Sequence, residues 1–208
     1  MTSEDRATRL RLLEKEASAC INCRLHEGRT TVVFGDGNPE ADLMFIGEGP
    51  GQHEDEKGLP FVGRSGQLLS TLLERVGLSR EEVYIANVVK CRPPGNRDPR
   101  PDEITACKDY LIEQLRIIDP AVVVTLGNFS TKLVLKTETG ITRMRGQAYP
   151  WWGRHVVPTF HPAAGLRNGP RVVEDMVSDL ELAVSVIEQR PDPAPAEPTE
   201  PEQIAMFS

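Results

Sequence analysis

The chain has 208 residues, of which 39% are hydrophobic, and a formal net charge of −7, enough for one domain with a sizeable core. No apolar run is long enough to cross a membrane, and the start (Met1-Thr2-Ser3-Glu4-Asp5) is polar and carries no secretion signal, so a cytoplasmic setting is expected. The negative balance excludes bulk attraction to nucleic acid, so any such contact must use a local basic patch.

Residues 3–19 read as a helix, with Leu10, Leu13 and Ala17 at helical spacing. The helix runs into Cys20-Ile21-Asn22-Cys23. Residues 31–34 read as a short extended piece before the turn at 35–38. Leu43-Met44-Phe45-Ile46 has the length and apolarity of a buried strand. It ends in Gly47-Glu48-Gly49-Pro50-Gly51, where glycine allows a close approach to a ligand and Pro50 stiffens the turn. No Gly-Lys-Ser/Thr follows, so this is not a phosphate loop. Ser65 is placed to cap a helix carrying Leu68, Leu69, Leu72, Leu73 and Val76, which Gly77 stops. Ser79 and Glu82 resemble a capping box, but residues 83–89 turn at once to strand character.

A loop over 90–99 follows, and Pro101 opens a helix with Ile104, Cys107, Leu111 and Leu115 on one face. Residues 121–127 form a third strand, 128–136 a helix and 155–160 a fourth strand. His161 to Asn168 read as a turn, and a last helix covers 171–189. Strands alternating with helices define an α/β chain, a three-layer α/β/α sandwich around a central four-stranded parallel sheet. Its domain is expected over 1–190. The Pro- and acid-rich stretch after it, within 191–208, is expected to be disordered.

In such a sheet ligands bind beyond the carboxyl ends of the strands. Glu48, Asn87, the cysteine loop and His161 all fall there. Asn87 interrupts a strand of Val, Ile and Ala, where Asn is disfavoured. It is either a buried amide satisfied by backbone or a base reader. Its paired acceptor and donor match N3–H and O4 of uracil and mismatch cytosine. Phe61 is either core or a platform on which a base stacks, a contact of roughly 1–3 kcal/mol. His161 either caps its loop or donates to charge developing on a leaving group. The four cysteines, spaced C-x2-C and C-x15-C, would close one four-thiolate site, for zinc or for an iron–sulfur cluster.

Together these segments resemble the family 4 uracil-DNA glycosylases, the iron–sulfur type in the uracil-DNA glycosylase superfamily. The likeness rests on residues 47–51, Glu54-Asp55, 59–66, 84–94, His161-Pro162-Ala163 and all four cysteines, and it covers about residues 8–188. It implies hydrolysis of the uracil glycosidic bond in single- or double-stranded DNA, leaving an abasic site, the first step of base excision repair. It implies a 4Fe–4S cluster on Cys20, Cys23, Cys91 and Cys107, and a uracil pocket of Glu48, Gly49, Phe61, Asn87 and His161.

In that frame His161 stabilises the leaving uracil and Glu48 positions water or steadies the sugar cation. Leu166 or Arg167 is the wedge that fills the vacated stack. Arg92 and Arg97, with Arg100, Arg145 and Arg167, are candidate phosphate contacts. A monomer is expected. The end of the chain, Gln203-Ile204-Ala205-Met206-Phe207, resembles the short peptides by which bacterial repair proteins dock to the sliding clamp. Two rival readings are a relative that bonds covalently to the uracil site and a non-catalytic, clamp-associated iron–sulfur protein. The segment 92–100 is short and lacks histidine, which argues against the first; Asn87 and His161 argue against the second.

Overall fold

A computed structural model of the chain describes residues 2–189. The elements in chain order are α1 (Ser3–Ser18), β1 (Asp36–Gly37), β2 (Leu43–Gly47), α2 (Gln52–Lys57), α3 (Arg64–Arg75), β3 (Tyr84–Asn87) and α4 (Pro101–Ile118). There follow β4 (Val122–Leu126), α5 (Asn128–Leu135), α6 (Ile141–Met144), β5 (Tyr149–Trp151), β6 (Arg154–Thr159), α7 (Pro162–Asn168) and α8 (Pro170–Glu188).

The sheet order is β1-β3-β2-β4-β6-β5. The four inner strands are parallel, as expected, but the sheet is six-stranded. β1 pairs antiparallel with β3 and β5 antiparallel with β6. Both added strands are short edges. β5 and β6 form a hairpin whose two-residue turn, Trp152-Gly153, has positive φ at both positions, which matches the twist of the flanking strands.

Alternation along the inner strands divides the core in two. Met44 and Ile46 of β2 face a cluster with Leu10, Ala17, Leu111 and Ile118 of α1 and α4. Leu43 and Phe45 face the other way, onto Leu69, Leu72 and Leu73 of α3 and Met176 and Leu180 of α8. A strand buried on both faces has to be apolar throughout, which is why β2 and β4 read as unbroken hydrophobic runs.

Two local expectations change. Ser65 does not cap α3; Gly63 is the N-cap, and its amide and that of Val62 donate to Oε1 of Glu54 at 2.8 and 2.9 Å. As expected, Ser79 and Glu82 start no helix; the Ser79 amide donates to Glu82 Oε2 at 2.7 Å in a turn before β3. The stretch after His161 is a helix, α7, with Pro162 in its first turn, where proline's missing N–H costs nothing. No helix among the described residues is long and apolar enough to cross a membrane.

Candidate active site and cysteine chamber

Parallel pairing brings the carboxyl ends of β2, β3 and β6 to one edge. Gly47, last in β2, is in register with Asn87, last in β3. A Cβ on Gly47 would stand 2.3 Å from Asn87 Oδ1 and 2.8 Å from Cε2 and Cζ of Phe61. A side chain at 47 would therefore fill the point where the amide and the ring meet. Phe61 lies beside His161 on its other side, with ring centroids 5.7 Å apart and planes tilted by 35°. The structure thus sets Phe61 beside both the Asn87 amide, across Gly47, and the His161 ring. Asn87 is 2% exposed, and its Oδ1 has no hydrogen-bond partner. A buried acceptor without a donor costs about 1–3 kcal/mol, so the reading of Asn87 as an amide satisfied by backbone leaves Oδ1 unexplained.

His161 is the N-cap of α7, and its Nδ1 accepts the Ala163 N–H at 3.1 Å. Nδ1 as acceptor puts the ring proton on Nε2, leaving a donor free. Burial first, then the nearby Arg167 charge, pulls the imidazole down to about 4 against the pull of Glu54. The ring is therefore neutral at pH 7. Glu48, half-buried just past β2, is pushed up to about 7 by burial first and then by the charge and hydrogen bond of Asp98. Gly49 has no room for a side chain because Val89 Cγ2 stands 2.9 Å from where its Cβ would be.

Phe61 has φ of +51°, a left-handed backbone that is strained for an aromatic residue. Two side chains hold it. Arg80 Nη1 donates to the Phe61 carbonyl at 3.0 Å and Nη2 to the Pro60 carbonyl at 2.9 Å, while Glu54 takes the two amides that follow. Replacing Arg80 with alanine should leave the melting temperature nearly unchanged but weaken uracil-oligonucleotide binding about tenfold, through misplacement of the ring. Unchanged titrations would show that the turn supports itself.

The segment before His161 is also braced. Thr159 Oγ1 donates to Asp179 Oδ2 at 2.6 Å, and Arg145 donates to both oxygens of Asp179 at 2.9 and 3.0 Å. Arg145 also lies over the Phe160 ring, 5.5 Å from its centroid. Its side chain is only 19% exposed, so it serves the interior. Arg97 is similarly committed, with a two-pronged pair to the fully buried Glu103 at 2.6 and 2.8 Å. Arg92 Nε donates to Asn96 Oδ1 at 2.7 Å. Leu166 and Arg167 are exposed at the end of α7, while Gly165 is buried, and a Cβ there would lie 3.0 Å from Cδ2 of Leu68.

The four cysteines come together elsewhere, between α1, the segment after β3, and α4. Cys20, Cys23, Cys91 and Cys107 line one cavity with Arg29 and Lys90, and none forms a disulfide. Arg29 Nη1 donates to Cys91 Sγ at 3.4 Å and to the Cys20 carbonyl at 2.7 Å; the Lys90 main-chain N–H donates to Cys107 Sγ at 3.2 Å. Burial pushes the Cys107 thiol up to about 12, with Lys90 opposing. Among the described residues no three His, Cys, Asp or Glu side chains converge on the position of a single metal ion.

Sequence reasoning passed over Arg80, Lys90, Arg29, Gln114 and the Arg145–Asp179 pair. Apart from the Lys90–Asn87 bond, their contacts lie between residues distant in sequence, so no local pattern marks them.

The α/β fold, a mostly parallel sheet between helices, has a counterpart among known families. A model of the uracil DNA glycosylase superfamily matches residues 34–181, and the chain belongs to that superfamily. Its place within it is with the type-4 enzymes. It is 47% identical over 189 residues to the Type-4 uracil-DNA glycosylase of Sulfurisphaera tokodaii, covering 85% of this chain and 86% of that one. It is 44% identical over 183 residues to that of Thermotoga maritima (86% and 95% covered) and 45% identical over 174 residues to that of Archaeoglobus fulgidus (80% and 87% covered).

Proposed function

We propose that the chain excises uracil from DNA by hydrolysis, leaving an abasic site, and that the unpaired Oδ1 of buried Asn87 is the observation that carries the residue-level reading. Uridine must leave the duplex to reach this space. Asn87 then accepts N3–H and donates to O4, and Phe61 lies against the ring. As the glycosidic bond breaks, uracil gathers negative charge and the sugar positive charge. The neutral His161 donates from Nε2 to uracil O2, with amides of the Gly49–Gln52 loop assisting. Glu48 orients the water that adds to the sugar or steadies the sugar cation. Arg92 and Arg167 meet phosphate, and Leu166 or Arg167 fills the gap in the stack. The Arg97 and Arg145 contacts described above favour structural roles for those two.

The four cysteines hold a 4Fe–4S cluster in this reading, which the family likeness implies; their count fits zinc as well, and N–H donors reach two of the sulfurs. When bound it supplies a structural tie between α1, the loop after β3 and α4, with no redox step in the reaction. The domain bounds 1–190 and a monomer as the acting species stay proposals from sequence alone. The clamp-docking peptide, Gln203 to Phe207, lies outside the described residues, as does the rest of the stretch 191–208, and stays a proposal from sequence alone.

The test is single-turnover release of uracil from an oligonucleotide between pH 5 and 9. With the Glu48 carboxylate as the active form and a value of about 7, the rate should rise through neutrality and level off above it. Glu48→Gln should lower the plateau and flatten the profile. A Glu48→Gln enzyme with the full rate would remove the carboxylate from the reaction, and no uracil release by the wild type would overturn the function itself.

A further inference from the structure

Lys90 is 1% exposed. Its Nζ donates to the main-chain carbonyl of Asn87 at 2.9 Å and to Gln114 Oε1 at 2.5 Å, and lies 5.8 Å from the centroid of the Phe34 ring. Gln114 is fully buried, and its Nε2 donates to the Phe34 carbonyl at 2.9 Å and the Tyr84 hydroxyl at 3.1 Å. Among the described residues no carboxylate pairs with Lys90. The main chain of Lys90 is tied to the cysteine cavity, since its N–H donates to Cys107 Sγ.

An enclosed ammonium without an opposing charge costs several kcal/mol and is normally paired or neutralised. Cysteines that ligate an iron–sulfur core do so as thiolates, so a filled cavity would set anionic sulfur beside this lysine. The residues that line it include two cations, Arg29 and Lys90, and no carboxylate. Four thiolates around an iron–sulfur core are anionic overall, and two cations are what such a group needs from its surroundings. The Lys90 Nζ reaches the main-chain carbonyl of Asn87.

We propose that Lys90 is the internal counter-ion of the four-cysteine centre and, through its bond to the Asn87 carbonyl, the strut that sets the base-reading amide, so that filling the centre and binding uracil are coupled. The inference rests on the cluster reading above. It makes Lys90 a positioning residue, since its Nζ contacts neither the base nor the reacting atoms. Coupling of this kind is reciprocal: whatever the centre contributes to uracil binding, uracil contributes to retention of the centre.

The experiment uses the whole chain purified without oxygen. Iron and sulfide per chain are measured first, then the rate at which an iron chelator bleaches the absorption near 400 nm, with and without saturating free uracil. In the wild type, uracil should slow bleaching several-fold. Lys90→Met, of similar length but uncharged, should carry less iron, and uracil should change its bleaching rate by less than about twofold. Gln114→Leu keeps the charge and removes one of the strut's two acceptors, and covers the case in which Lys90→Met does not fold; it should retain iron and lose most of the uracil protection. Protection equal to wild type in either variant would overturn the coupling while leaving the cluster reading intact. A wild-type protein without iron and sulfide would overturn the cluster reading itself, and this inference with it.

Discussion

Replacing His161 with leucine should slow single-turnover uracil release by about 10²–10³, the usual cost of removing one donor aimed at a developing anion. Substrate binding should change far less, because uracil O2 carries its extra charge only as the bond breaks. The pH dependence separates this role from that of an ordinary histidine. The imidazole is held at about 4, against 6.5 when unperturbed. It should therefore show no titration in the rate near pH 6.5 and should lose its neutral form only below about 4. The same displacement acts on stability. Between about 6.5 and about 4 the unfolded chain takes up a proton at this residue that the folded chain refuses, so lowering the pH through that window favours unfolding. His161→Leu should lose this component of acid sensitivity. In Glu48→Gln, where the carboxylate no longer titrates, a rate that still titrates near 6.5 would contradict the assignment, and so would a His161→Leu variant with unchanged chemistry.

Replacing Asn87 with alanine should cost about 10² in uracil release and show in binding as well as in chemistry, because the amide holds the ring before and during cleavage. The physical origin is asymmetric. In the free protein Oδ1 is buried and unpaired, a cost borne by the native state and relieved when N3–H of uracil arrives. The alanine variant should therefore fold as stably as the wild type or slightly better, and still bind uracil poorly. An opposite pair of results, lower stability with intact binding, would mean that the amide serves the fold alone.

Much of the framework was legible because it is local. The four parallel strands announce themselves as apolar runs, and the helices between them carry a periodic face, so the layers and the sheet edge that carries Glu48, Asn87 and His161 follow from order alone. What escaped was short or long-range. β1 has two residues and β5 has three, too few for any period, and α7 hides behind His161-Pro162 and two small residues that read as a turn. The cap of α3 comes from Glu54 across a separate helix, and the left-handed Phe61 is held by Arg80, nineteen residues on. Arg97 and Arg145 show the opposite error. Composition presents them as free cations for phosphate, whereas folding pairs them with Glu103 and Asp179. The buried Lys90 was read only as part of a loop, since nothing in its neighbours along the chain marks it as enclosed.

Everything in the mechanism depends on one ring being gripped by the Asn87 amide at one edge while His161 waits at another. The most direct measurement is the proton spectrum of nitrogen-15-labelled uracil bound at saturation to the wild type and to Asn87→Ala. In the wild-type complex the N3–H signal should shift downfield and exchange with water far more slowly than in free uracil. In the complex with Asn87→Ala it should return toward the free position and exchange rate. An N3–H that exchanges freely in the saturated wild-type complex, or that is equally protected without the amide, would contradict the account.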